Sequence, residues 1–160
     1  MGLHLRSIVV LICLLIASSS FALKDADNVV FQEATITLKA GVTTKSVTAE
    51  IALSEIQHER GLMFRRSLKK NHGMLFIFKD ESIRNFWMKN TIIDLSIGYF
   101  NKEKTLIDIQ DMKAVTSVLQ TEIPNYPSQG PAMYALEMPA NWYTQNKIKL
   151  GTKLILKNEY

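Results

Sequence analysis

Directly after Gly73 the chain reads Met74-Leu-Phe-Ile-Phe78, apolar at every position. Successive side chains of a strand point to opposite faces, so an extended segment of this composition needs cover on both sides. The run therefore predicts a central strand, and the rest of the chain has to supply the covering layers. Around it the period of two recurs. Val47, Ala49, Ile51 and Leu53 fall on one side, as do Ala34, Ile36 and Leu38 before them, and Lys39-Ala-Gly41 supplies a turn between the two, which reads as a hairpin. Ser54 followed by Gln57 has the spacing of a capping box, and Gly61 suits the left-handed residue that ends many helices, so a helix of two turns is expected there.

Beyond the central run, Asp80-Glu-Ser82 predicts a turn, and Asn85 to Met88 and Ile93 to Phe100 continue the extended pattern. Asn101-Lys-Glu-Lys104 turns into a strand over Thr105 to Met112. The stretch from Lys113 to Pro131 contains Pro124, Pro127, Gly130 and Pro131 with no sustained period and reads as a loop. Loops of that length in compact domains tend to be lids or binding segments. A strand over Ala132 to Met138, a helical turn or two over Ala140 to Asn146 and a last strand over Lys153 to Leu156 complete the pass. Short connections favour antiparallel pairing. The expected fold class is α+β, a mainly antiparallel sheet with one or two short helices, and the period alone leaves barrel closure open.

The first residues, Met-Gly-Leu-His-Leu-Arg6, precede an apolar run from Ile8 to Ala17 and then Ser18-Ser-Ser-Phe-Ala22, the three regions of a secretory signal. A signal peptide over 1–22, cleaved after Ala22, and a single domain over 23–160 are expected. A membrane anchor needs roughly 18 consecutive apolar residues, and the serines interrupt this run too early. Export to the periplasm or the cell exterior follows, with no membrane association after cleavage. The single cysteine, Cys13, lies inside the run, so a processed chain has no disulfide and no thiol nucleophile. The full chain has 19 Lys plus Arg against 15 Asp plus Glu, and removal of Arg6 leaves 18 against 15. That small excess is scattered, whereas a nucleic-acid partner calls for a basic face with interleaved aromatics; none is expected.

Four pieces in order, Arg60-Gly-Leu-Met-Phe-Arg65, Gly73-Met-Leu-Phe-Ile-Phe78, Phe86-Trp-Met-Lys-Asn-Thr91 and Ala135-Leu-Glu137, resemble domain-of-unknown-function family 192, an exported bacterial and archaeal family. The likeness extends from about Val47 to Leu156. It implies a compact, mostly antiparallel domain, secreted or membrane-tethered, with no established biochemical role. Two departures stand out. Where the family commonly has Pro-Leu-Asp, this chain has Asp94-Leu-Ser96, and where it often has Gly-Asp, this chain has Gly151-Thr152.

Metal chemistry finds little support in the residues. His58 and His72 stand 14 residues apart without a second His or Cys beside either, unlike a zinc site, and are expected to face solvent. Met63, Met74, Met88, Met112, Met133 and Met138 could hold Cu(I) through their thioethers, but methionine within strand patterns ordinarily fills core gaps. Ser67 lies five residues from His72 without a nucleophile elbow. Two carboxylates at the right separation can hydrolyse a glycosidic bond, and Asp94 and Glu137 are the acids to weigh. Glu137 shares a strand face with Met133 and Ala135, so partial burial would raise its pKa if unpaired; a salt bridge to Arg60 or Arg65 is its more ordinary fate.

In "FWMKNT", Phe86 and Met88 point one way and Trp87 and Lys89 the other. Asn90 and Thr91 then either lock a turn or join a Trp face and nearby arginines in holding a small polar molecule such as a sugar or a carboxylate. The candidate ligand-binding set is Arg60, Arg65, Trp87, Asn90, Thr91 and Glu137, with no metal, cofactor or catalytic residue assigned. The leading expectation is a small-molecule or glycan-binding accessory domain. A hydrolase using Glu137 and Asp94, and a Cu(I) carrier, are the alternatives.

Overall fold

The apolar run lies in His72–Ser82 (β3), fourth of seven across one sheet, as its two-faced composition requires. The structure, a computed structural model, describes residues 29–115, 123–158 and 160; the expected signal segment and its cleavage point fall outside them. Residues Phe31–Tyr160 form one contact unit. Its other elements are β1 (Gln32–Ala40), β2 (Thr43–Ala52), α1 (Glu55–Arg60), β4 (Asn85–Trp87), β5 (Leu95–Phe100), β6 (Leu106–Met112), β7 (Asn125–Pro127), β8 (Ala132–Pro139), α2 (Trp142–Gln145) and β9 (Lys153–Leu156).

The sheet order is β6-β5-β8-β3-β2-β1-β9, and β4 pairs with β7 in a separate ribbon. The pairs are antiparallel except β2 with β3, where Thr48 to Ala52 run beside His72 to Phe76. A parallel pair needs a crossover, and α1 with the loop after it provides one. The two edge strands touch at one end: Thr105 bridges Lys153, Leu106 N–H donates to the Thr152 carbonyl at 2.8 Å and Leu154 N–H to that of Lys104 at 2.9 Å. No ladder joins β6 to β9 among the described residues, and the sheet is not closed into a barrel.

Local chemistry accounts for the boundaries. Gly41 takes φ +59° in the tight turn between β1 and β2, a region that glycine enters without steric cost. Ser54 Oγ accepts the Gln57 N–H at 3.4 Å while Gln57 Oε1 accepts that of Ser54 at 3.1 Å, the reciprocal capping box. Two expectations are corrected. Asp80 to Ser82 is the end of β3 and not a turn, and the proline-rich stretch after Lys113 contains β7. The latter strand owes its existence to partners: Tyr126 pairs with Phe86, its carbonyl accepts the Tyr99 hydroxyl at 2.5 Å, and its phenol oxygen accepts the Lys113 N–H at 3.0 Å.

Alternation along β3 sorts the interior into two cores. Leu75 and Ile77 join Ile36, Leu38, Leu136 and Tyr143 on one face. Met74 and Phe76 join Met88, Ile97, Tyr99 and Ala135 on the other. On the first face Gly98 lies under Tyr143: a Cβ there would sit 2.5 Å from the hydroxyl oxygen, which donates to the Leu136 carbonyl at 2.7 Å. Gly98→Ala should displace the ring and cost about 1 to 3 kcal/mol through overpacking, plus roughly 1 for the hydrogen bond. A shift in the urea unfolding midpoint without change of slope checks this.

Candidate functional site

The second core face carries the site. β4 continues the alternation, so Met88 is fully buried while Trp87 is 49% exposed. Phe86 packs edge-on against Phe76, ring centres 4.8 Å apart, and Lys89 Nζ lies 5.4 Å from the centre of the Trp87 ring. Between α1, β3 and the segment leading into β4 is a cavity of about 260 Å³. Its deep side is formed by Phe76 and Glu137, both nearly inaccessible to solvent, and Trp87 stands at its exposed side.

Glu137 sits on β8 directly between Met74 of β3 and Ile97 of β5, with Ala135 two residues away on the same face. Its immediate neighbours in the sheet are thus apolar, and it is only 5% exposed. Among the described residues no hydrogen bond or ion pair engages its carboxyl, whose surroundings act on it through burial and the Arg65 charge; no fully buried side-chain oxygen lacks a partner, so its oxygens open onto the cavity. Burial pushes its pKa up to about 8, opposed only by the charge of Arg65. At neutral pH the group is therefore mostly protonated and uncharged.

The salt bridge expected from Glu137 to Arg60 or Arg65 is not formed. Arg65 instead makes a two-pronged pair with Glu50, at 2.5 and 3.1 Å. Register explains the choice. Glu50 of β2 stands opposite Met74, which stands opposite Glu137, so both acids lie in one row on one face. The Glu50 side chain is 21% exposed, and an ion pair made there gives up less hydration than one at the buried Glu137.

Of the six expected residues, Arg60, Trp87, Thr91 and Glu137 border the cavity, whereas Arg65 and Asn90 do not. Asn90 adopts φ +54° and its carbonyl accepts the Phe64 N–H at 2.8 Å. Thr91 Oγ1 donates to the Lys89 carbonyl at 3.2 Å and the Thr91 carbonyl accepts the Val115 N–H at 3.2 Å. Both residues hold the turn that follows β4.

Two cavity residues escaped the sequence reading. His58, expected in solvent, is half-buried: its Nε2–H donates to the Ala52 carbonyl at 3.0 Å and its ring lies 4.6 Å from that of Phe78. His72 is likewise half-buried rather than solvent-facing. Arg84 donates from Nε to the Ala132 carbonyl at 3.0 Å, pairs with Asp80 at 3.1 Å, and places its guanidinium carbon 4.0 Å from the Phe78 ring centre. The partner Ala132 is far away in sequence, so no local pattern marks Arg84.

The acid pair for a hydrolase is not assembled. Asp94 precedes β5 and not within a strand, outside the cavity; it accepts the Ala114 N–H and the Lys113 ammonium, each at 2.8 Å. Those two contacts, the backbone one foremost, hold its carboxyl below the ordinary range. Ser96, where the family commonly has Asp, stands opposite Met138 and so faces away from Glu137. Met74, Met88 and Met112 are fully buried in one core and Met138 in the other, as gap-filling side chains are. No group of three His, Cys, Asp or Glu converges among the described residues.

An open, mainly antiparallel sheet with an aromatic-walled cavity over one face defines a small sheet-rich domain with room for a ligand. The chain belongs to domain-of-unknown-function family 192, described as "Uncharacterized ACR", whose profile matches residues 36–156. Among solved structures it is similar to a protein of Sinorhizobium meliloti 1021 described as a candidate transcription regulator, at 29% identity and TM-score 0.71, over 81% of this chain and 97% of that one. It shares its fold with a protein of unknown function from Novosphingobium aromaticivorans DSM 12444, at 24% identity and TM-score 0.69, over 81% and 95% of the two chains. No curated protein matches it.

Proposed function

We propose that this chain is an exported small-molecule-binding domain whose site is the cavity over Phe76 and Glu137. One observation carries the reading. A carboxyl set among apolar sheet neighbours costs free energy unless it is hydrogen-bonded, and here it opens onto a cavity that can admit a partner. Ligand pockets typically enclose roughly 300 to 1,000 Å³, so a cavity of about 260 Å³ suits a metabolite or a single sugar unit better than an extended glycan. The signal-like flanks of the first residues support export.

A thermal-shift screen of sugars, sugar acids and small carboxylates tests this, because specific binding raises apparent stability by mass action. For any compound that binds, Trp87→Ala should weaken affinity roughly tenfold while changing stability by under about 1 kcal/mol, since the lost ring face is largely solvent-exposed. Asn90→Ala should do the reverse, costing on the order of 1 kcal/mol at its left-handed position and leaving the affinity of the folded protein unaltered. Undiminished affinity in Trp87→Ala would remove the cavity mouth from the site.

A further inference from the structure

Two rings that line the cavity, Phe78 and Trp87, and the exposed Phe64 outside it already hold cations of the protein itself. Arg84 lies over Phe78 at 4.0 Å, Arg60 over Phe64 at 5.0 Å and Lys89 over Trp87 at 5.4 Å. Phe76 and Phe86 meet edge to face at 4.8 Å, so the edge of one ring covers a face of the other. An ammonium ligand is recognised by an open ring face; here a cation of the protein already lies against Phe78 and against Trp87, and Arg60 borders the opening without an ion pair among the described residues. An anion meets the opposite situation.

The cations differ in what they have left to offer. Arg84 is paired with Asp80, and Arg65 with Glu50. Arg60 borders the cavity and has no acidic partner among the described residues, so its donor fork remains open to a carboxylate. Glu59, beside it on α1, also borders the cavity but is exposed to solvent. At the cavity's deep side the Glu137 carboxyl opens onto the cavity, and no described residue hydrogen-bonds to it.

We infer that the cavity selects a small organic carboxylate bearing a hydroxyl or carbonyl group, its anionic end held by Arg60 and its neutral oxygen by the Glu137 carboxyl. This deepens the binding reading above and rests on it. The protonated Glu137 donates a hydrogen bond to the ligand oxygen; above about pH 8 it ionises, loses that donor and repels the anion. The charged and titratable groups around it do not offset the change. Arg65 is engaged with Glu50, and Tyr99 and Tyr143 are held neutral by burial, each raised further by Glu137 itself. His58, Glu59, Arg60 and Arg84 border the same cavity from α1 and from the segment before β4.

The test uses the full chain, labelled with ¹⁵N, and follows the amide signals of cavity residues during titration with mandelate, gluconate, mandelamide, gluconamide and 2-amino-1-phenylethanol. The two acids should bind at least about tenfold more tightly than their amides and the amine, and Arg60→Gln should weaken acid binding by roughly ten- to a hundredfold. Acid affinity should fall roughly tenfold per pH unit above about pH 8, and Glu137→Gln, which cannot ionise, should abolish that fall. Tighter binding of the amine or the amides, or acid affinity indifferent to Arg60→Gln or to pH above 8, would overturn the carboxylate assignment while leaving the cavity a binding site. If no compound of any class moves a cavity signal, the binding reading fails and the carboxylate assignment with it.

Discussion

Phe76→Ala should lower the unfolding free energy by about 3 to 5 kcal/mol, the cost of removing a buried aromatic ring and leaving a space behind. Phe76 is 2% exposed on the central strand, opposite Ala135 of β8. Its ring meets Phe86 edge-on at 4.8 Å and lies 6.0 Å from the His58 ring, so its loss removes support from β4 and α1 together. Equilibrium denaturation in urea measures the effect. A loss below about 1 kcal/mol would show that Phe76 is not a core residue.

The second large effect is a pH dependence with a definite sign. The Glu137 carboxyl has an ordinary pKa of 4.5 when exposed in the unfolded chain, against about 8 in the fold. Between those values the folded protein holds a proton that the unfolded chain has released, so stability falls as pH rises through that window and levels off above it. The full loss is on the order of 3 to 5 kcal/mol. Glu137→Gln cannot ionise, so it should be more stable than the parent at pH 9 by a comparable amount, with little difference at pH 4. Asp80 and Asp94, whose pKa values are lowered by Arg84 and by the Ala114 N–H respectively, contribute in the opposite sense and only in acid. Unfolding curves at pH 4, 7 and 9 decide the matter, and parallel profiles for the two proteins would show that Glu137 is ionised in the fold.

What could be read from the chain in advance was what local periodicity encodes. The hairpin around Gly41, the helix capped by Ser54 and Gln57, and the central strand through Phe76 each depend on residues within a few positions of one another. The orientation of Trp87 followed from strand alternation alone. Features that depend on register were hidden. Arg65 pairs with Glu50 because β2, running parallel to β3, brings that acid into the same row as Glu137. β7 is too short to show a period and is a strand through its pairing with β4. His58 leaves solvent because β3 places Phe78 beneath it. For Asn90, composition favoured both a turn and a ligand contact, and its φ of +54° is a backbone angle that no residue pattern displays.

An uncharged Glu137 beside the cavity is what both the site and its ligand class require. Its side-chain carboxyl carbon, labelled with ¹³C and assigned by its absence in Glu137→Gln, reports ionisation directly in NMR spectra recorded from pH 4 to pH 10. A titration midpoint near 8 is the predicted result. A midpoint near the ordinary glutamate value of 4.5 would mean a charged, hydrated or ion-paired carboxylate, and would contradict both the site and the ligand class drawn from it.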